Sequence, residues 1–310
     1  MSPVAPRAAQ TARSSPAGKR PSHYLSVADL TPEEILSLLD RARELKRFPA
    51  RDANKLSGLT AGLVFQKPSL RTRVSFEVAM LELGGHAVYL SPAEIQLGQR
   101  EGVVDVARVL SRYVDVIVEH ATVPVINALS DREHPCQILA DLLTLYERRG
   151  ALNGLRLAYV GDGNNVAHSL ALAAPPLGID LRFACPDGYE PDPLIMEQAQ
   201  AGLNSGAIEL FRDPKEAVRD ADAVYTDAWY SMGQESEAEA RAPVFHRYQL
   251  NAQLLSEAAP NAIAMHCLPA HRNAEITDEV MDGPASVVYD QAENRLHVQK
   301  ALLLRLLGQD

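Results

Sequence analysis

Ser69-Leu-Arg-Thr-Arg73 puts two hydroxyls and two guanidiniums into one short stretch. An apolar run at 61–65 precedes it and reads as a buried strand. Val74, Val78 and Leu81 follow at helical spacing, and Gly84-Gly85 supplies a stop. The cluster therefore lies on a loop at the mouth of a helix. The first N–H groups of a helix lack internal partners, and the helix dipole favours negative charge there. Arginine forks match phosphate oxygens. These residues imply an oxyanion pocket for phosphate. The plainer alternative is a helix cap at Ser69 followed by two solvated arginines. The stretch is not a P-loop, because it lacks the glycines and the Lys-Ser/Thr ending.

Four further stretches carry chemistry. In His134-Pro-Cys-Gln137, His134 and Gln137 lie three apart across a proline, so both can face the mouth of the helix that follows. Gly161-Asp-Gly-Asn-Asn165 follows a strand and invites a dinucleotide reading. Val166 stands where the third glycine should be, and two bulky asparagines stand where backbone must approach a pyrophosphate, so that reading is weak. Asp227-Ala-Trp-Tyr-Ser-Met-Gly-Gln-Glu235 begins at a strand end, where open α/β sheets place ligands, and Asp227 can pair an ammonium. In His266-Cys-Leu-Pro-Ala-His-Arg272 the neighbours His266 and Cys267 suggest a thiol dyad. Adjacent strand residues point to opposite faces, however, so the dyad is geometrically poor.

The elements that must position these residues follow from periodicity. Thr31-Pro-Glu-Glu34 opens a helix with Ile35, Leu36 and Leu39 as its apolar face. Strands are expected at 86–90, 114–118 and 123–127, and a polar loop at 94–101. Residues 147–153 are polar and mark a domain boundary. Beyond it, strands at 155–160, 181–184, 208–211, 223–226, 263–266 and 287–289 alternate with helical stretches. That pattern means a doubly wound parallel sheet. A last helix opens around 291 and runs to about 307, with Arg295 near its start, where a cation opposes the dipole.

In their order, these motifs resemble the aspartate/ornithine transcarbamoylase family, and within it the ornithine enzymes. The resemblance implies two doubly wound parallel-sheet α/β domains, with the C-terminal helix packing back on the first. A carbamoyl-phosphate domain would take in 23–150 and 293–308, and an ornithine domain 151–292. It implies carbamoyl transfer from carbamoyl phosphate to the δ-amine of L-ornithine, giving L-citrulline and phosphate, in arginine biosynthesis. Carbamoyl phosphate would be held by Ser69, the backbone of Leu70, Arg71, Thr72, His134, Gln137, Cys267, Leu268 and Arg295, with Gln96 reaching the site of a neighbouring subunit. Arg73 would help to neutralise the phosphate. Arg71, His134 and Cys267 would be catalytic, and Asn165, Asp227, Ser231 and Met232 would hold ornithine. The resemblance implies no metal and no redox cofactor, and a homotrimer or a multiple of trimers.

The chain departs from the family in three places. Leu70 replaces the commonest second residue of the phosphate motif, and Asn273 replaces a glycine in a turn, where asparagine tolerates left-handed backbone. More seriously, only 119–122 separate the strands at 114–118 and 123–127. The family has a helical crossover there, and an arginine just after the first strand. A hairpin of that length would reverse the second strand, since a parallel pair normally needs about a dozen connecting residues. Other acceptors, putrescine or an N-acylated ornithine, present no free α-amino group to Asp227. A descendant that binds without turnover is the alternative that the short link motivates.

Composition agrees with a soluble enzyme. The net charge of −10 argues against non-specific nucleic-acid binding. No apolar run is long enough to span a bilayer. Cys136, Cys185 and Cys267 form no metal or disulfide pattern, as expected in the cytoplasm. Residues 1–22 carry four basic residues, four prolines and no acid, and read as a disordered tail.

Overall fold

Thr31 accepts a hydrogen bond from the Glu34 amide, and the Glu34 carboxylate accepts one from the Thr31 amide. This capping box starts the first helix, α1 (Pro32–Arg47). The structure, a computed structural model, describes residues 23–65, 69–95, 102–118, 123–203, 205–230 and 235–310. After α1 come β1 (Thr60–Val64), α2 (Leu70–Glu82), β2 (His86–Leu90), α3 (Pro92–Ile95), α4 (Val103–Leu110), β3 (Val116–Val118) and α5 (Pro135–Arg149). The second half runs β4 (Arg156–Val160), α6 (Asn165–Ala173), β5 (Asp180–Ala184), α7 (Pro193–Ala201), β6 (Ile208–Phe211), α8 (Pro214–Val218), β7 (Ala223–Thr226), α9 (Ala238–Phe245), α10 (Ala252–Leu255), β8 (Ile263–His266), α11 (Asp278–Met281) and α12 (Val288–Leu306).

The strands form two parallel sheets, β2-β1-β3 and β6-β5-β4-β7-β8. Helix α12 leaves the second sheet and packs on α1, α2 and α5 of the first half. Polar ties hold it there. Lys300 bonds Glu82 at 2.8 Å, and Asn294 bonds Thr144 at 3.0 Å. Helix α5 is buried from Pro135 to Leu145 and forms the floor between the halves.

Three expectations need correction. Residues 287–289 are not a strand. The Val287 N–H reaches Ala264 at 3.0 Å, but the Val287 carbonyl then accepts from Gln291 at 2.9 Å, which closes a helical turn. Helix α12 therefore begins at Val288, and Arg295 lies about two turns inside it. Second, in α1, Leu38 takes the core position expected of Leu36, which is exposed. In α2 the buried face is Thr72, Phe76, Ala79 and Met80, and Val74 and Leu81 are exposed.

Third, the stretch after the short link does not reverse. Val125 pairs with Ile117 in parallel, and Ile126 pairs in parallel with Tyr24 on its other side. The Ile117 N–H donates to Pro124 and the Ile126 N–H to Ile117, both at 3.0 Å. Residues 119–122 lie outside the described residues. Five residue steps reach at most about 17 Å, enough to cross one strand spacing of about 4.8 Å and step back three residues, about 10 Å. A pairing this short therefore needs no helical crossover.

Candidate active site

The anion pocket grows from the start of α2. Ser69 occupies the N-cap position with extended backbone, but its side chain makes no capping bond. It donates instead to Thr72 Oγ1 at 2.9 Å. Thr72 is fully buried and also accepts from Arg295 Nη2 at 2.5 Å. Arg295 is buried, and its Nε has no partner; Arg71 Nε is likewise buried and unpartnered. Among the described residues, neither arginine forms an ion pair. Burial holds the Arg295 guanidinium below its usual range, and the Arg71 charge adds to that effect. Two cations that act on each other without a direct ion-pair partner among the described residues are poised for an anion.

His134 precedes α5, its amide donating to Ser169 Oγ at 2.9 Å. Burial pushes the imidazole well below its usual range, and Arg295 and Arg71 push the same way. The ring is therefore neutral near pH 7. One turn on, Gln137 donates from Nε2 to Asp141 at 2.8 Å, and its Oε1 is buried without a partner. Leu70 is exposed at the start of α2. Arg73 is committed elsewhere, bonded to Glu77 at 2.9 Å and stacked 3.8 Å over the Tyr89 ring. An (i, i+4) carboxylate and an aromatic face thus hold its Nε and its guanidinium plane in this arrangement.

The facing wall comes from the strand ends of the second sheet. The order β5-β4-β7 reverses direction between β4 and β7, which opens a crevice at their carboxyl ends. Asp227, just past β7, is buried and heavily bonded. It accepts from Asn164 Nδ2 at 2.7 Å, from the Ala228 amide at 2.8 Å and from the Cys267 thiol at 3.0 Å. Asn164 caps α6 through Oδ1, bonding the Val166 amide at 2.9 Å. Its orienting of Asp227 escaped sequence reasoning, and only its position before a helix signalled a fixed side chain. Asn165 donates to the Ser130 carbonyl at 2.7 Å and so ties the two halves together.

Cys267 is a protonated thiol. Burial pushes it well above its ordinary range, and Asp227 pushes it further. Asp227, His266 and Cys267 present their ligand atoms within 4.8 Å of one another. Both His266 nitrogens are engaged, however, Nδ1 by the Leu268 amide at 2.9 Å and Nε2 by Glu275 at 3.1 Å. The trio therefore suits neither a thiolate nucleophile nor a metal ion. Leu268 holds φ at +59°, a left-handed conformation that costs a branched residue energy and recurs at functional sites. Asn273 sits at +66°, as its replacement of glycine requires. Gln96, Ser231 and Met232 lie outside the described residues.

Comparison with known proteins covers both walls. Residues 22–147 match the model for the aspartate/ornithine carbamoyltransferase carbamoyl-P binding domain. Residues 153–306 match that for the Asp/Orn binding domain. The ornithine carbamoyltransferase of Pyrococcus abyssi is 52% identical over 301 residues, 92% of this chain and 95% of that one. The solved structure of ornithine carbamoyltransferase from Pyrococcus furiosus superposes with a TM-score of 0.88 at 50% identity, covering 93% of this chain and 97% of that chain. The anabolic enzyme of Campylobacter jejuni superposes at 0.87 with 38% identity, covering 93% and 100%. With both domain models matched in order and half of its residues shared with such relatives, the chain belongs to the aspartate/ornithine carbamoyltransferase family.

Proposed function

We propose that this chain transfers the carbamoyl group of carbamoyl phosphate to the δ-amine of L-ornithine, giving L-citrulline and phosphate in the biosynthetic direction. Asp227 carries the choice of acceptor. It is a buried carboxylate at the strand ends, aimed by three donors, where an α-ammonium can meet it. The relatives at about half identity are ornithine enzymes, one of them named anabolic.

The chemistry follows from the groups present. An alkyl amine like that of ornithine has a solution pKa of roughly 10.4, and only its neutral form attacks. Arg71 and Arg295 favour that form by repelling the cation. Arg71, Thr72 and the neutral His134 donate toward the carbamoyl oxygen as it gains charge. Ser69, Thr72 and Arg295 hold the phosphate. Asn165 and Asp227, with Ser231 and Met232, fix the amino-acid end so that nitrogen meets carbon in line. The C–N bond forms, the bond from carbon to the phosphate oxygen breaks, and the surplus proton leaves with the phosphate. Cys267 acts as a donor that aims Asp227.

The working unit is a homotrimer in the cytoplasm. Val74 and Leu81 on α2, Val88 on the edge strand β2, and Val103, Val104 and Val109 on α4 are exposed apolar residues of the first half. Such a surface suits a subunit interface. Among the described residues no helix is long and apolar enough to cross a membrane, and the three cysteines are unpaired. The test is citrulline formation by the purified chain with carbamoyl phosphate and ornithine, against putrescine, N-acetylornithine and aspartate. Turnover with ornithine alone is expected. A folded protein that turns over none of them overturns the proposal.

A further inference from the structure

Asp141 is fully buried, lies outside every motif read above, and touches both halves of the molecule. Its Oδ1 accepts from Gln137 Nε2 at 2.8 Å and from Gln291 Nε2 at 2.9 Å. Gln291 in turn accepts the His266 backbone N–H through Oε1 at 2.9 Å. A backbone N–H can only donate, so the polarity of this chain is anchored at one end. The Gln291 amide must turn its oxygen to His266 and its nitrogen to Asp141. A carboxylate only accepts, so Gln137 must likewise turn its nitrogen to Asp141. That leaves Gln137 Oε1, buried and unpartnered, as a free acceptor one helical turn from His134, the residue that the Arg71 and Arg295 charges act on.

We propose that Asp141 is a positioning residue that sets the polarity of Gln137, so that the pocket offers an acceptor to the carbamoyl NH₂ group and discriminates against acyl phosphates that lack it. The inference rests on carbamoyl phosphate as the donor substrate. Without the carboxylate, the Gln137 amide is free to turn over and presents a donor as readily as an acceptor. Burial raises the Asp141 carboxyl to about 6, while its bonds from Gln291 and Gln137 oppose the rise. At pH 8 it is the accepting anion that the arrangement requires.

The experiment uses the full chain at pH 8 and measures calorimetric affinities for carbamoyl phosphate and acetyl phosphate. The two share phosphate and carbonyl and differ by NH₂ against CH₃. The wild type is expected to prefer carbamoyl phosphate roughly tenfold, the scale of one hydrogen bond. Asp141→Leu should bring the two affinities within about twofold. Asp141→Asn still offers an oxygen to both glutamines, so it should keep the preference within about threefold of wild type. A preference that survives Asp141→Leu overturns the inference. So does an equal loss for both ligands, or a loss with Asn as complete as with Leu.

Should Asp141→Leu fail to fold, Gln137→Leu is compared with Gln137→Leu/Asp141→Leu, in which both partners are apolar and neither is stranded. Equal affinities support action through Gln137, and a further loss of carbamoyl phosphate affinity overturns it. Citrulline formation, assayed in parallel, reads the reaction separately. A chain with the predicted selectivity and no turnover fails the reaction and keeps this inference. A citrulline-forming chain indifferent to Asp141 fails this inference alone.

Discussion

At the residue scale, the site stores unfavourable burial. Arg295 is desolvated, has an unpartnered Nε and sits beside a second cation. Removing an unpaired buried charge relieves a cost, whereas the ligand loses a charge-assisted contact. Arg295→Met is therefore expected to raise the Tm of the ligand-free protein. The same change should lower kcat/KM for carbamoyl phosphate by roughly 10- to 100-fold, the equivalent of about 1.5–3 kcal/mol. Thermal scans with and without phosphate check both signs. A fall in the ligand-free Tm would mark Arg295 as structural. The same logic separates Arg71 from Arg73. They are two residues apart in one motif, but only Arg73 is paired to a carboxylate, Glu77, and stacked on a ring, Tyr89.

At the scale of the element, α2 starts without its usual cap. Ser69 stands at the N-cap position, yet its hydroxyl serves Thr72 and leaves the helix amides free. An ordinary cap is worth about 1 kcal/mol. Ser69→Ala is thus expected to change ligand-free stability by less than about 0.5 kcal/mol, the range of a neutral substitution. It should still weaken carbamoyl phosphate binding several-fold. Denaturant melts and a KM titration read the two effects, and a full cap-sized loss of stability would return Ser69 to a structural role. The motif was legible in the sequence because it combined hydroxyls, guanidiniums and a helix start. The sequence did not show which hydroxyl would cap and which would wait for ligand, since both fit the same spacing.

For the whole molecule, α12 and the strand order decide what meets. Arg295 and Thr72 are 223 residues apart and bond because α12 returns to pack on α2. Asp227 and Asn164 meet because β4 and β7 are neighbours at the reversal of the second sheet. Val74 and Leu81, whose spacing marked α2 as a helix, face outward. If that face is the subunit interface, Leu81→Glu should shift the protein from trimer to smaller species in light scattering. It should also weaken carbamoyl phosphate binding, because Gln96 would no longer reach across from a neighbour. A wild type that is monomeric removes the trimer from the proposal, and a mutant that stays trimeric moves the interface elsewhere.

The sequence by itself determined the chemical types, their order along the chain and most of the strands and helices that carry them. Anion-binding loops, strand-end carboxylates and helix caps are local, and local spacing encodes them. It also fixed the length of the link at 119–122, which looked too short for a parallel pair. Only the tertiary structure decided that a single-bridge pairing, Ile117 with Val125, tolerates so short a link. It alone placed the start of α12 at Val288, chose the inner face of α2, and joined Asp141 to Gln137 and Gln291. Each of these depends on which distant surface an element packs against. Side-chain period reports that a face is apolar, and says nothing about whether this chain or another copy will cover it.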